Sequence, residues 1–184
     1  MIDEVRGEFL LKLFLPDKHV HSIFDIEPSF LQSKGIKGMI VDLDNTLVPW
    51  NVAKATDKVI EWIRKMEEAN IKVTIFSNNN KERVTIFAEP IGASYIYRAR
   101  KPLPRAFHIA QNKMKLKKEE IVVIGDQLLT DILGGNFAGF YTILVVPIVE
   151  TDAPITKFNR NLERFILNYF YRKGKLMRRN PNGN

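Results

Sequence analysis

Cysteine is absent from all 184 residues, so disulfides, thiolate metal ligands and a cysteine nucleophile are excluded. Long apolar runs are missing too; none approaches the ~20 residues that cross a bilayer. The N-terminal stretch lacks the basic start, apolar core and small-residue cleavage site of a secretory leader. Together these absences set the expectation of a cytoplasmic protein, at most peripheral to a membrane. A further shortage is local. From Lys157 onward there are eight basic residues and a single acid, Glu163, a net of +7 that equals the formal charge of the whole chain. Residues 1–156 are therefore neutral, and the excess points to an anionic partner for the C-terminal segment.

Apolar residues, by contrast, are plentiful at 45%, enough for the core of one ordinary domain. Runs at 36–42, 71–76, 95–98, 121–125 and 140–146 read as strands. "IKVTIF", "IVVIG" and "FYTILVV" are rich in β-branched and aromatic residues and apolar on both faces, which suits a parallel sheet covered on both sides. Helical patterns lie between them. "DKVIEWIRKMEEAN" sets Val59, Ile60, Ile63 and Met66 on one stripe, "KERVTIFAEPIG" ends at Pro90 and Gly92, and "PRAFHIAQNKMK" begins at a proline suited to a first turn. In "TDILGGNFAG", Gly134 and Gly135 permit close helix packing. The alternation predicts an α/β fold with a doubly wound parallel sheet and right-handed crossovers.

Such sheets gather ligands at the carboxyl ends of their strands. The first strand ends at Asp42 and Asp44, the second at Ser77-Asn78-Asn79-Asn80, and the fourth in "GDQLLTD" with Asp126 and Asp131; Lys101 follows the third. Four carboxylates at one edge repel each other unless a cation intervenes, and with oxygen ligands that cation is hard, Mg²⁺ before others. Asp42 then has the surroundings of a nucleophile, and Asp44, two residues on, is placed to deliver or remove a proton. Ser77, Asn78 and Lys101 offer donors to the oxygens of an anionic substrate.

In this order the motifs resemble those of the haloacid dehalogenase (HAD) superfamily of phosphatases. DxDx[TV] matches Asp42 to Thr46, the Ser/Thr-ended strand matches Ser77, the lysine before a proline matches Lys101-Pro102, and GDxxxxD matches Gly125 through Asp131. The opening of the chain through "IVDLDNTLVPW" is similar to the bacterial YqeG-type group of class IIIA, itself akin to organellar phosphatidylglycerophosphate phosphatases. The resemblance implies a HAD-like three-layer α/β/α domain and an aspartyl phosphate on Asp42, with Asp44 as acid and then base. It further implies Mg²⁺ on Asp42, the Asp44 carbonyl and Asp126, supported by Asp131. Ser77 and Lys101 would hold the phosphoryl group, with Thr46 and Asn78 on the substrate side. Neither the segment from Leu47 to Asn70 nor that from Asn78 to Arg100 has room for a cap domain. An open site suits a phosphate on something large or surface-bound.

Outside the motifs the readings are plainer. His19 and His21 lack further nitrogen or sulfur ligands and do not make a metal site, and His108 is structural. Packing is the expected role of Trp50, since an exposed indole is costly. The chain divides into a catalytic domain over 1–156 and a basic helix and tail over 157–184 docked on it. That helix is amphipathic, with Phe158, Leu162, Phe165, Ile166, Tyr169 and Phe170 as its apolar stripe. Its basic end fits an anionic membrane surface or RNA, and both stay open. The leading substrate is a lipid headgroup phosphate, phosphatidylglycerophosphate. The rivals are a protein or nucleic-acid phosphatase near the ribosome and a non-catalytic binding protein, the latter disfavoured because every motif acid is present.

Overall fold

The computed structural model describes residues 11–149 and 154–176. Six strands, β1 (Lys18–Val20), β2 (Gly38–Val41), β3 (Lys72–Phe76), β4 (Ser94–Ile96), β5 (Ile121–Gly125) and β6 (Tyr141–Val145), form one sheet in the order β1-β6-β5-β2-β3-β4. Every pairing is parallel, with Met39 opposite Val73 on one side and Val122 on the other. The five strands expected from sequence are all there. The sixth, β1, was not anticipated, because "KHV" has only Val20 buried and is too short to show a pattern.

Helices α1 (Pro28–Ser33), α2 (Asp57–Glu68), α3 (Lys81–Ala88), α4 (Pro104–Met114), α5 (Leu133–Ala138) and α6 (Pro154–Arg172) connect or cover the strands. All of β2 and β5 is buried, and the alternation of side chains splits the core into two layers. Met39 and Val41 join Ile75, Trp62, Met66 and Phe87 on one face, while Ile40 joins Phe76, Phe107 and Phe140 on the other. This is the three-layer α/β/α arrangement. Among the connections at the carboxyl side, β2 to β3 holds a loop and α2, and β3 to β4 holds α3 and a single 3-10 turn, so no cap interrupts the sheet. Among the described residues no helix is long and apolar enough to cross a membrane.

Two apolar stripes differ from expectation. On α2 the buried set is Val59, Trp62, Ile63 and Met66; Ile60 is only half-buried. The Trp62 indole takes the inward place because its N–H donates to the Ile26 carbonyl at 3.2 Å, satisfying the one polar atom the ring would otherwise bury unpaired. On α6, Ile166 and Phe170 are buried with Glu163, whereas Phe165 is 72% and Leu162 44% exposed. Glu163 accepts the Leu129 N–H at 3.1 Å, and this contact turns the helix so that Phe165 and Leu162 face outward. Phe158 lies outside the described side chains, and Arg178 and Arg179 outside the described residues.

The buried side of α6 meets Leu128, Ile132 and Leu144, and residues Leu11, Phe14 and Leu15 close over the same cluster. That N-terminal segment is tied down by polar contacts. Asn136 donates to the Leu13 and Leu15 carbonyls at 2.7 and 3.1 Å, and Asp17 accepts the Thr142 N–H at 2.7 Å. His19, on β1, meets the Tyr171 hydroxyl at 3.4 Å.

Candidate active site

The chain runs from β2 outward to β3 and β4, then returns to lay β5 on the other side of β2. The β2–β5 boundary is thus the switch point where the loops leaving two adjacent strands diverge and open a crevice. Asp42 lies one residue past β2, with its N–H donating to the Ile124 carbonyl at 2.9 Å, so the backbone of β5 fixes it. Asp126 lies one residue past β5. Asp131 lies in the π turn Leu128–Ile132 and folds back over the strand end, its Oδ2 accepting the Gln127 N–H at 3.2 Å. Gly125 is required by that fold-back, because a Cβ there would run into the Asp131 carboxyl.

Asp42, Asp126 and Asp131 are buried, and one ligand oxygen from each lies within 4.8 Å of the others. Between them Lys101 is also buried; its ammonium donates to Asp42, to Asp131 Oδ1 at 2.7 Å, and to the Phe76 carbonyl at 3.3 Å. Burial pushes the Asp42 carboxyl well above the usual carboxylate range; Lys101 pulls it down, while Asp131 and Asp126 add to the rise. For Lys101, burial works against the charge, but Asp131 and Asp42 outweigh it and hold the ammonium above its usual range. Three buried carboxylates against one ammonium leave a deficit of positive charge. A hard divalent cation fits that deficit in charge, donor type and spacing.

The remaining expected residues fall around this centre. Thr46 is buried and donates to Asp126 Oδ1 at 3.2 Å, so its hydroxyl orients a carboxylate. Asn78 pairs with the Lys101 backbone, accepting its N–H at 2.7 Å and donating to its carbonyl at 3.4 Å. Together with the Ala99 N–H to the Ser77 carbonyl at 3.0 Å, this clasps the lysine loop to the end of β3. Ser77 is buried and its hydroxyl points at Asp44 Oδ2, 3.4 Å away. Gly134 and Gly135 do serve packing: a Cβ at the first would strike Phe107, and at the second Thr142 and Val123. Trp50 corrects the expectation of packing, being 47% exposed. Its backbone N–H is held by the Asn45 side chain at 3.3 Å, and the turn of Asn45, with φ of 64°, presents the residue at the rim.

Sequence reading missed Arg83. Its guanidinium reaches from the first turn of α3 to Asp44 Oδ1, with Nη2 at 2.8 Å and Nε at 3.1 Å, while Nη1 donates to the Ala53 carbonyl at 3.0 Å. Asn79 also donates to Asp44 Oδ2 at 3.4 Å. Asp44 is therefore ringed by donors from the loop after β3 and from α3. The sequence does not single out Arg83, because Lys81, a second cation in the same first turn, is exposed.

Known proteins resemble this chain in sequence and in fold. The HAD-hydrolase-like family model matches residues 98–167. The chain is 56% identical over 167 residues to the probable phosphatase YqeG of Bacillus subtilis, covering 91% of this chain and 97% of that protein. It is 30% identical to the chloroplastic/mitochondrial phosphatidylglycerophosphate phosphatase 1 of Arabidopsis thaliana, covering 87% of this chain but 49% of that one. Among solved structures, the cobalt-bound deoxy-D-mannose-octulosonate 8-phosphate phosphatase of Haemophilus influenzae shares the fold, with a TM-score of 0.53, 18% identity, and coverage of 73% and 89%.

Proposed function

Because the chain belongs to the HAD-like hydrolase superfamily, as a phosphatase alongside the Bacillus YqeG protein, we propose that it cleaves the phosphate monoester of a phospholipid headgroup through an aspartyl phosphate on Asp42. The observation that carries the mechanism is the buried triad of Asp42, Asp126 and Asp131 around Lys101 at the switch point of the sheet.

A free oxygen of Asp42 attacks phosphorus as the P–O bond to the leaving alcohol breaks. Asp44 gives that alcohol its proton. Asp44 then takes a proton from the water that attacks the aspartyl phosphate, regenerating Asp42 and releasing inorganic phosphate. Lys101 and Ser77 hold the non-bridging oxygens, where negative charge must be balanced throughout the transfer. HAD phosphatases generally use a divalent metal. Here Mg²⁺ would rest on Asp42, the Asp44 carbonyl and Asp126, with Asp131 behind them. When bound it supplies charge neutralisation for the phosphoryl oxygens. The Thr46 hydroxyl, which donates to Asp126 Oδ1, would fix that carboxylate for the ion.

Three features support a lipid headgroup. Among the described residues no cap lies over the site, which leaves it open to a substrate embedded in a surface. The relative from Arabidopsis bears the name of a phosphatidylglycerophosphate phosphatase. The C-terminal excess of +7 matches an anionic bilayer in sign. The test is phosphate release from phosphatidylglycerophosphate in mixed micelles, compared with a phosphopeptide and a 5′-phosphorylated oligonucleotide, each with Mg²⁺ and with EDTA. Lipid turnover that EDTA abolishes is expected. Preference for the oligonucleotide or peptide would move the substrate to RNA or protein, and activity indifferent to EDTA would overturn the metal.

A further inference from the structure

Arg83 is placed oddly for a residue with only a structural task. Its side chain is 13% exposed and Asp44's is 22%, so the pair stands at the mouth of the crevice, neither sealed in the core nor free on the surface. Lys101 donates to Asp42, and the Ser77 hydroxyl points at Asp44 Oδ2. Arg83 takes the other oxygen, Oδ1, of the carboxylate that would meet the leaving alcohol. The guanidinium has five N–H donors. One each on Nε, Nη1 and Nη2 goes to Asp44 or Ala53, and among the described residues no acceptor takes the remaining two Nη hydrogens. No cap lies between α3 and solvent to close this side.

We propose that Arg83 is a second anion subsite: it recognises a phosphodiester or comparable anionic group on the leaving alcohol, about one glycerol unit from the scissile oxygen. This rests on the reading above, in which Asp44 faces the leaving group. A guanidinium fixed within one carboxylate's breadth of that oxygen can reach a group a few carbons further along the same alcohol. Its planar fork matches two phosphate oxygens at once, which a lysine at the same place would not. The Ala53 carbonyl keeps the fork oriented when no ligand is bound, so little ordering is left for binding to accomplish. The preferred substrate is thus a phosphomonoester whose alcohol carries a second anion; simple alkyl monoesters fill only half of the site.

The experiment measures competition against turnover of a soluble aryl phosphate, so it does not depend on which natural ester is cleaved. The competitors are glycerophosphoglycerophosphate, with a monoester and a diester, and glycerol 3-phosphate, with the monoester alone. In the wild type the two-anion compound should bind about tenfold tighter or more, as a charge-assisted bidentate contact requires. In Arg83→Gln the ratio of inhibition constants should fall to about one, and in Arg83→Lys to an intermediate value. Aryl phosphate turnover itself will change, because Asp44 loses a partner, so the ratio is what is read. If Arg83→Gln does not fold, Arg83→Lys serves alone. Equal constants in the wild type, or a ratio untouched by either substitution, overturns the subsite. Arg83-dependent preference without hydrolysis of the micellar lipid leaves the subsite standing and removes the lipid reading. Hydrolysis of the lipid without that preference does the reverse.

Discussion

The ammonium of Lys101 sits 2.7 Å from Asp131 and also donates to Asp42, joining the loops after β4, β5 and β2 at one buried point. Removing it strands two carboxylates in a water-poor site. Breaking a buried pair costs about 3–5 kcal/mol, so Lys101→Met should melt well below the wild type in EDTA. Mg²⁺ should restore part of the loss, because a bound cation supplies the missing charge and stabilises the folded state it binds. Thermal melts with and without Mg²⁺ check this; a variant as stable as wild type in EDTA contradicts it.

Asp42→Asn keeps the size of the side chain and removes the oxygen that attacks. Turnover of an aryl phosphate should fall by at least about a thousandfold. A residual rate above about a tenth of wild type would exclude Asp42 as nucleophile. Beryllium fluoride should inhibit the wild type as a mimic of the acyl phosphate and leave Asp42→Asn unbound.

At Gly125 the constraint is steric. Alanine there collides with the Asp131 carboxyl, so either the π turn or the strand end must move. The Mg²⁺ concentration needed for half-maximal turnover should rise by about tenfold or more, since support of a metal shell is worth 10–100-fold in affinity. Unchanged Mg²⁺ dependence would show that Asp131 has no part in holding the metal.

The basic end can be tested without disturbing the helix that packs on the core. Arg172, Lys173, Lys175, Arg178 and Arg179 changed together to Gln should leave soluble aryl phosphate turnover as in wild type, while binding to anionic vesicles falls. Each charge near such a surface contributes about 1 kcal/mol. The wild-type binding should itself weaken as salt shortens the ~8 Å screening length of physiological solution. Vesicle binding unaltered by the five changes would place the membrane contact elsewhere.

Much of the site was legible because strand ends are legible. β2 and β5 are continuous apolar runs, so the first carboxylates after them had to sit at the sheet edge, and the sheet rule brought Asp42 and Asp126 together. Contacts made by side chains across the crevice left no such pattern. That Thr46 turns to Asp126, Asn78 to the Lys101 backbone and Arg83 to Asp44 depends on rotamers and loop paths, which periodicity does not encode. The stripe on α6 was misread for a related reason. Hydrophobicity placed Phe165 inward, but a buried Glu163 with a backbone N–H to satisfy decided the rotation. β1 escaped because three residues with one buried side chain carry no period at all.

Leu128 and Ile132, in the turn that carries Asp131, share one apolar cluster with Ile166 and Phe170 of α6 and with Leu11, Phe14 and Leu15. During synthesis Leu11, Phe14 and Leu15 precede every residue of the catalytic cluster, and α6 follows them all. Ribosomes add roughly 5–20 residues per second, so for some seconds a nascent chain holds all its catalytic carboxylates before α6 has been made. A chain cut before Pro154 would keep every motif, yet Leu128 and Ile132 of the Asp131 turn would lose the Ile166 and Phe170 side chains they pack against.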